Sequence, residues 1–198
     1  ENGRISDAGL AHLAGATQLS RLNLWRLQVT DTGIAHLASL TNLVWLNLDN
    51  TQLSDTGLVS LKGLAKLEFL HLGSTQITDA GLVHLAGMQK LEVLLVELTR
   101  ITDDGLPHIV KLKSLKNLGL NHNAITDRGL PHLASLEHLE ELWLENTLIT
   151  DAGLPDLEKL KSLERLAIDR TEITDEGLAR LRKALPACKI TRDRGLLS

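Results

Sequence analysis

Ile5-Ser-Asp-Ala-Gly-Leu10, Val29-Thr-Asp-Thr-Gly-Ile34, Leu53-Ser-Asp-Thr-Gly-Leu58 and Ile77-Thr-Asp-Ala-Gly-Leu82 are four copies of one hexapeptide. Four more run from Ile101, Ile125, Ile149 and Ile173, each 24 residues after the last with no insertion. Between copies stands L-x-x-L-x-L, as in Leu43, Leu46, Leu48 and again in Leu139, Leu142, Leu144. The residues around its second Leu alternate with period two, as in a short strand. The leucines that follow recur every three residues (Leu130, Leu133, Leu136), which puts them on one side of a short helix. One such unit cannot bury its apolar side alone, so the units must stack into a continuous core. Parallel strands then line one face and short helices the other. The helical side is the wider, so the stack curves with its strands on the concave surface.

The unit L-x-x-L-x-L-x-x-T-x-I-T-D-x-G-L resembles the leucine-rich-repeat family, and the resemblance covers residues 1 to about 190. Its T-D-x-G-L half is similar to repeats of bacterial proteins and of F-box substrate receptors, without the cysteine of the latter. The resemblance implies an α/β repeat fold, a curved right-handed solenoid of about eight units. Thr51, Thr75, Thr99, Thr147 and Thr171 stand where many members carry Asn; Asn123 keeps it and Leu27 has neither. A Thr there can still hydrogen-bond the adjacent turn.

The array is expected to span residues 1–190, followed by a polar C-terminal cap or tail at 191–198. Ile190 fits a strand position, whereas Arg192 falls where the next inward Leu belongs. Pro186, Lys189, Arg192, Asp193 and Arg194 make this edge polar. The chain starts at Glu1, in mid-pattern and without Met, so further units or a cap are expected upstream, and residues 1–18 are expected to fray.

Two ladders read as structural. The Asp of every hexapeptide, Asp7 to Asp175, suits a turn and helix entry, where a side-chain oxygen accepts free backbone N–H groups. Pro107, Pro131 and Pro155 follow the Gly-Leu, so helix begins late in those units. His12, His36, His84, His108 and His132 share a slot that also holds Ser60, Asp156 and Arg180, which reads as a polar convex face rather than a metal-binding stripe.

Composition narrows the function. The net charge of −4 gives no pull toward nucleic acid or anionic membranes. No apolar run is long enough to span a bilayer. The single Cys188 excludes an internal disulfide or a cysteine-rich zinc site, so no cofactor or metal is expected. The chain is expected to be monomeric, with its uncapped N-terminal end as the place for any self-association.

The chemistry lies in the outward strand positions. The first column is Arg21, Trp45, Phe69, Val93, Asn117, Glu141 and Arg165. The second is Asn23, Asn47, His71, Leu95, Gly119, Trp143 and Ala167. After the third Leu come Trp25, Asp49, Gly73, Glu97, Asn121, Glu145 and Asp169, and then Arg26, Asn50, Ser74, Leu98, His122, Asn146 and Arg170. All three Trp and the one Phe of the chain fall in these columns, which hold about one-seventh of its residues. Trp and Arg dominate binding hot spots. The expected partner-binding set is Arg21, Trp25, Trp45, Phe69, His71, Val93, Leu95, Glu141, Trp143 and Arg165, and an apolar centre with charged surroundings suits a protein or peptide.

Three other classes compete with that reading. Exposed Trp faces also stack on sugars, so a carbohydrate-binding domain is one. A purely structural repeat, whose aromatics merely shield strand backbone, is another. An enzyme is the third: Asp49, His71 and Ser74 have the residue types of a hydrolytic triad. Nothing in the sequence supplies a nucleophile elbow or an oxyanion hole for it.

Overall fold

The computed structural model describes residues 5–193. Residues 1–4 and the tail from Arg194 lie outside them, and so do those parts of the expected frayed start and polar cap. Eight three-residue strands form one open parallel sheet in chain order: β1 (Arg21–Asn23), β2 (Trp45–Asn47), β3 (Phe69–His71), β4 (Val93–Leu95), β5 (Asn117–Gly119), β6 (Glu141–Trp143), β7 (Arg165–Ala167) and β8 (Lys189–Thr191). The strands line the concave face of a curved right-handed solenoid, and short α- and 3₁₀-helices line its convex face. Register is strict, with Leu22, Leu46, Leu70, Leu94, Leu118, Leu142, Leu166 and Ile190 as successive partners.

Between sheet and helices runs one aliphatic core. Leu46, Leu70, Leu94, Leu118 and Leu142 are fully buried, as are the helix-side Leu61, Leu85 and Leu133 to within 1%. No aromatic ring enters it. The three Pro-bearing units begin their α-helices late, at Leu106, Leu130 and Leu154, whereas helix starts at Asp55 in the unit before Phe69. Leu10 is buried, but Ile5 remains 43% exposed at the start of the stack.

The Asp ladder differs from the sequence expectation. The helix N-cap is the preceding Ser or Thr, whose hydroxyl accepts from the backbone N–H two residues on in most units, as in Thr30 to Thr32. The Asp instead reaches the next unit. Asp103 Oδ1 accepts from the Thr126 N–H at 2.8 Å, and Oδ2 from the Thr126 hydroxyl at 2.6 Å. The same clasp joins Asp7 to Thr30 and recurs through Asp151 to Thr174. It explains the glycine of the hexapeptide: a Cβ on Gly129 would lie 2.5 Å from Asp103 Oδ1. Thr-Asp-x-Gly is thus an inter-unit connector.

At Asp175 the described ladder meets a cation. Arg192, which falls where the next inward Leu belongs, has a side chain only 4% exposed. Its guanidinium pairs with Asp175 and donates to the Ile173 carbonyl, so it occupies an inward position.

The turns follow a rule the alternation could not show. Each strand lasts only three residues, so the third and fourth outward columns belong to the turn. All seven fourth-column residues, Arg26 to Arg170, are left-handed, with φ between 52° and 58°. Their N–H groups donate to the next unit's third-column carbonyl, as Leu98 does to Asn121. Thr75 closes the same turn within its own unit by donating to the Leu72 carbonyl, while Asn123 reaches back to the Val96 carbonyl of the previous unit. Asn and Gly accept the left-handed region, but Leu98 is held there at a cost of about 1–2 kcal/mol.

Two stability outcomes follow. Leu118→Ala should cost about 2–5 kcal/mol by denaturant titration, from lost transfer energy and the cavity left behind, while Trp143→Ala stays close to wild type. Leu98→Gly should raise stability by about 0.5–1 kcal/mol, because Gly adopts φ > 0 without strain.

Candidate binding face

The concave face is built by register. Arg21, Trp45, Phe69 and Val93 are successive Cα partners on β1 to β4, about 4.8 Å apart. Their side chains must therefore touch. The Trp45 and Phe69 rings stack with centroids 4.9 Å apart and planes within 12°. From the other side the Arg21 guanidinium lies 4.8 Å from the Trp45 centroid. Both broad faces of Trp45 are covered, and the ring edges are what the half-buried pair presents outward. His71 meets Phe69 edge-on at 6.5 Å and 90°.

Next to this block lies a His–carboxylate pair. His71 Nε2 and Glu97 Oε1 are 2.6 Å apart across β3 and the turn after β4. Burial pushes the Glu97 carboxyl up, but the hydrogen bond with His71, a backbone hydrogen bond and the charges of His71 and His122 together outweigh it, and the carboxyl sits below its ordinary value. The pair packs over Gly73, where a Cβ would come within 2.9 Å of both side chains. Leu95 leans over Gly119 in the same way, its Cδ2 3.0 Å from where a Cβ would stand. Small residues here are seats for the large neighbours above them, a role alternation alone does not reveal.

The ten residues expected to bind divide into three groups. Arg21, Trp45, Phe69, His71, Val93 and Leu95 form one contiguous patch. Trp143, Glu141 and Arg165 form a second, about 10 Å away, since two strand spacings separate β4 from β6. Glu141 and Arg165 face each other at 3.6 Å. Trp25 joins neither patch: it sits in the turn after β1, 48% exposed, with Arg26 stacked on it at 4.6 Å. Leu98, in the fourth column, is a 54% exposed turn residue.

Two further residues were within reach of the sequence. The column that ends at Arg165 continues 24 residues later at Lys189, and Ala167 is followed by Thr191. Both line a cleft with Trp143, Arg165, Leu166 and Ala167. Beyond it, Glu145 and Asp169 crowd together in the third column. Burial and the bond shared with Asp169 raise the Glu145 carboxyl, and His122 and Arg170 offset this only partly. On the convex side His12 and His132 are exposed, while His36, His84 and His108 are half-buried. Among the described residues no three His, Cys, Asp or Glu side chains converge as a metal site would require. No described helix is long and apolar enough to cross a membrane.

Known proteins share this architecture. Residues 113–155 match a model described as leucine-rich repeats in two copies, and residues 63–86 and 159–181 match a single leucine-rich repeat. These matches support a leucine-rich-repeat family for the chain. Among solved structures it is similar to internalin InlF of Listeria monocytogenes, with a TM-score of 0.78 and 28% identity over 92% of this chain and 50% of that one. Internalin C2 of the same species gives 0.65 and 28%, over 93% and 84%. A leucine-rich-repeat protein of Leptospira interrogans gives 0.65 and 24%, over 91% and 50%, which is a likeness of fold alone. The chain thus spans about half the length of InlF. Among curated proteins there is no match.

The His71–Glu97 pair is testable by titration. In His71→Ala the Glu97 carboxyl keeps its burial and loses its bond, so its pKa, followed by side-chain carbon NMR, should rise above the wild-type value. The stability this carboxylate contributes in the wild type is present above its ordinary pKa near 4.5 and is lost as pH falls through the lowered one. In the variant the folded and unfolded values draw together, so this acid-dependent contribution to stability should shrink or disappear.

Proposed function

We propose that the chain is a non-catalytic module that binds a protein or peptide across its concave face, anchored on Trp45 and Phe69. The observation that carries this reading is the exclusion of every aromatic residue from the core. The chain has three Trp and one Phe, and all four stand on the strand-lined face or its turns. The core is filled without them, so their cost in exposed apolar area is not repaid by folding. Exposed apolar surface in one contiguous patch on a repeat protein marks an interaction site. Leu95 and Val93 extend the Trp45–Phe69 block, and Arg21 adds a polar margin, the composition of an interface centre and rim.

The alternatives have less support. Sugar recognition by stacking needs an open aromatic face, and both faces of Trp45 in the main patch are taken by Arg21 and Phe69, which leaves such a role to the isolated Trp143. Catalysis by Asp49, His71 and Ser74 would need the imidazole to join them, yet its Nε2 is engaged by Glu97 and Ser74 sits in a left-handed turn. The likeness to internalins supports an interaction role at the level of the family, and the partner of this chain is read from its own surface.

Calorimetry against a captured partner tests the proposal. Trp45→Ala and Phe69→Ala should each cost about 2 kcal/mol or more of binding energy, as truncated anchors do. Arg170→Ala should act mainly on the association rate, and His84→Ala on the convex face should leave affinity unchanged. Loss of binding in the His84 variant with none in the Trp45 variant would move the interface to the helical side.

A further inference from the structure

The first column ends on two cations in register. Arg165 and Lys189 are direct Cα partners on β7 and β8, so their side chains leave the sheet about 4.8 Å apart. Like charges placed opposite each other on neighbouring strands destabilise the sheet. Little relieves them here. Arg165 meets Glu141 only at 3.6 Å with its side chain 65% exposed, and among the described residues no ion pair involves Lys189. Beside them stands Trp143, half-buried and free of any ring contact among the described residues, above the buried Leu166 and Ala167. Together with Thr191 these side chains enclose a cleft of about 270 Å³. One wall is an indole, the floor is the Ala167 methyl group with the strand backbone at Leu166, and the rim carries two positive charges.

We infer that this cleft is a second subsite of the binding face, which takes an acidic side chain of the partner together with the apolar residue beside it. The inference rests on the proposed concave-face reading and adds the partner's chemistry and its direction. A carboxylate between Arg165 and Lys189 neutralises their repulsion and can take the bidentate geometry a guanidinium offers. Its apolar neighbour covers the indole and the Leu166–Ala167 floor, and a partly desolvated cleft strengthens the charge pairing. The opposite flank fixes the orientation. Glu145 and Asp169 lie in the third column, so a carboxylate presented from that side is repelled. The partner segment must therefore place its acid toward the first column and its apolar residues toward Leu95 and Phe69. The Trp45–Phe69 block supplies the anchor, and the cation pair supplies the polarity.

The test uses the whole chain as bait for a phage-displayed library of random peptides. Three variants run in parallel: Trp45→Ala with Phe69→Ala, Arg165→Glu with Lys189→Glu, and Trp143→Ala. Unfolding midpoints are measured for each, so that loss of fold is seen directly, and Lys189→Gln alone serves as a milder variant if the double reversal unfolds. Peptides selected on the wild type should carry Asp or Glu next to an apolar residue. Their affinity should fall at least tenfold on the charge-reversed bait and should weaken with added salt. Selection on the reversed bait should yield Lys or Arg at the acidic position. Selected peptides without an acidic preference, or with affinity unchanged by the reversal, would overturn the subsite while leaving the anchor standing. Peptides that bind the Trp45/Phe69 variant as tightly as wild type, or no enrichment at all, would overturn the concave-face reading itself.

Discussion

The structure depends on contacts between units. A 24-residue unit offers one strand of three residues and a turn or two of helix, neither of which is stable alone. Burial of its leucines requires a neighbour on each side, and stacking is therefore the folding event itself. Two interactions hold the stack at one spacing: the leucine column, which fixes register, and the Asp carboxylate, which grips the N-cap of the next unit through two bonds. Bonds to a charged acceptor are worth more than neutral ones, and this one also sterically demands the glycine. Any insertion would shift an Asp away from its Thr.

A constraint so regular frees the opposite surface. The inward leucines and the connector barely vary from unit to unit, while the outward strand positions hold almost every chemical type. What varies is not random in size, however. Gly73, Gly119 and the buried Ala167 lie in line with His71, Leu95 and Trp143, and large side chains rest on small ones along the face. The concave surface is thus packed in its own right. Its aromatics are half-buried and held in place before any partner arrives, which lowers the entropy lost on binding.

Much of this was legible in the sequence. The period, strand positions, helix-side leucines and late helices after Pro107, Pro131 and Pro155 all follow from spacing. The ten candidate residues fall where alternation puts them, apart from Trp25, which the three-residue strand leaves in a turn. The reach of Asp103 to Thr126 was not legible, because a motif that satisfies helix-capping rules locally gives no sign that its carboxylate serves the next unit. The pairing of Arg192 with Asp175 was hidden for a related reason: a charge at an inward position reads as failure of the pattern until its partner is visible. The left-handed turns could not be seen either, since Arg, Leu and His at that slot carry no turn signature. Lys189 was missed only because the column was followed one unit too few.

The claim at the centre of this account is that binding lies on the strand side and that the helical side is scaffold. Hydroxyl-radical footprinting with mass spectrometry, on the chain alone and with its captured partner, reads both faces in one experiment. Trp45, Phe69 and Leu95 should lose oxidation in the complex, while the exposed convex Val59 and Val83 should react as before. Protection of Val59 and Val83 with Trp45 and Phe69 unchanged would contradict it.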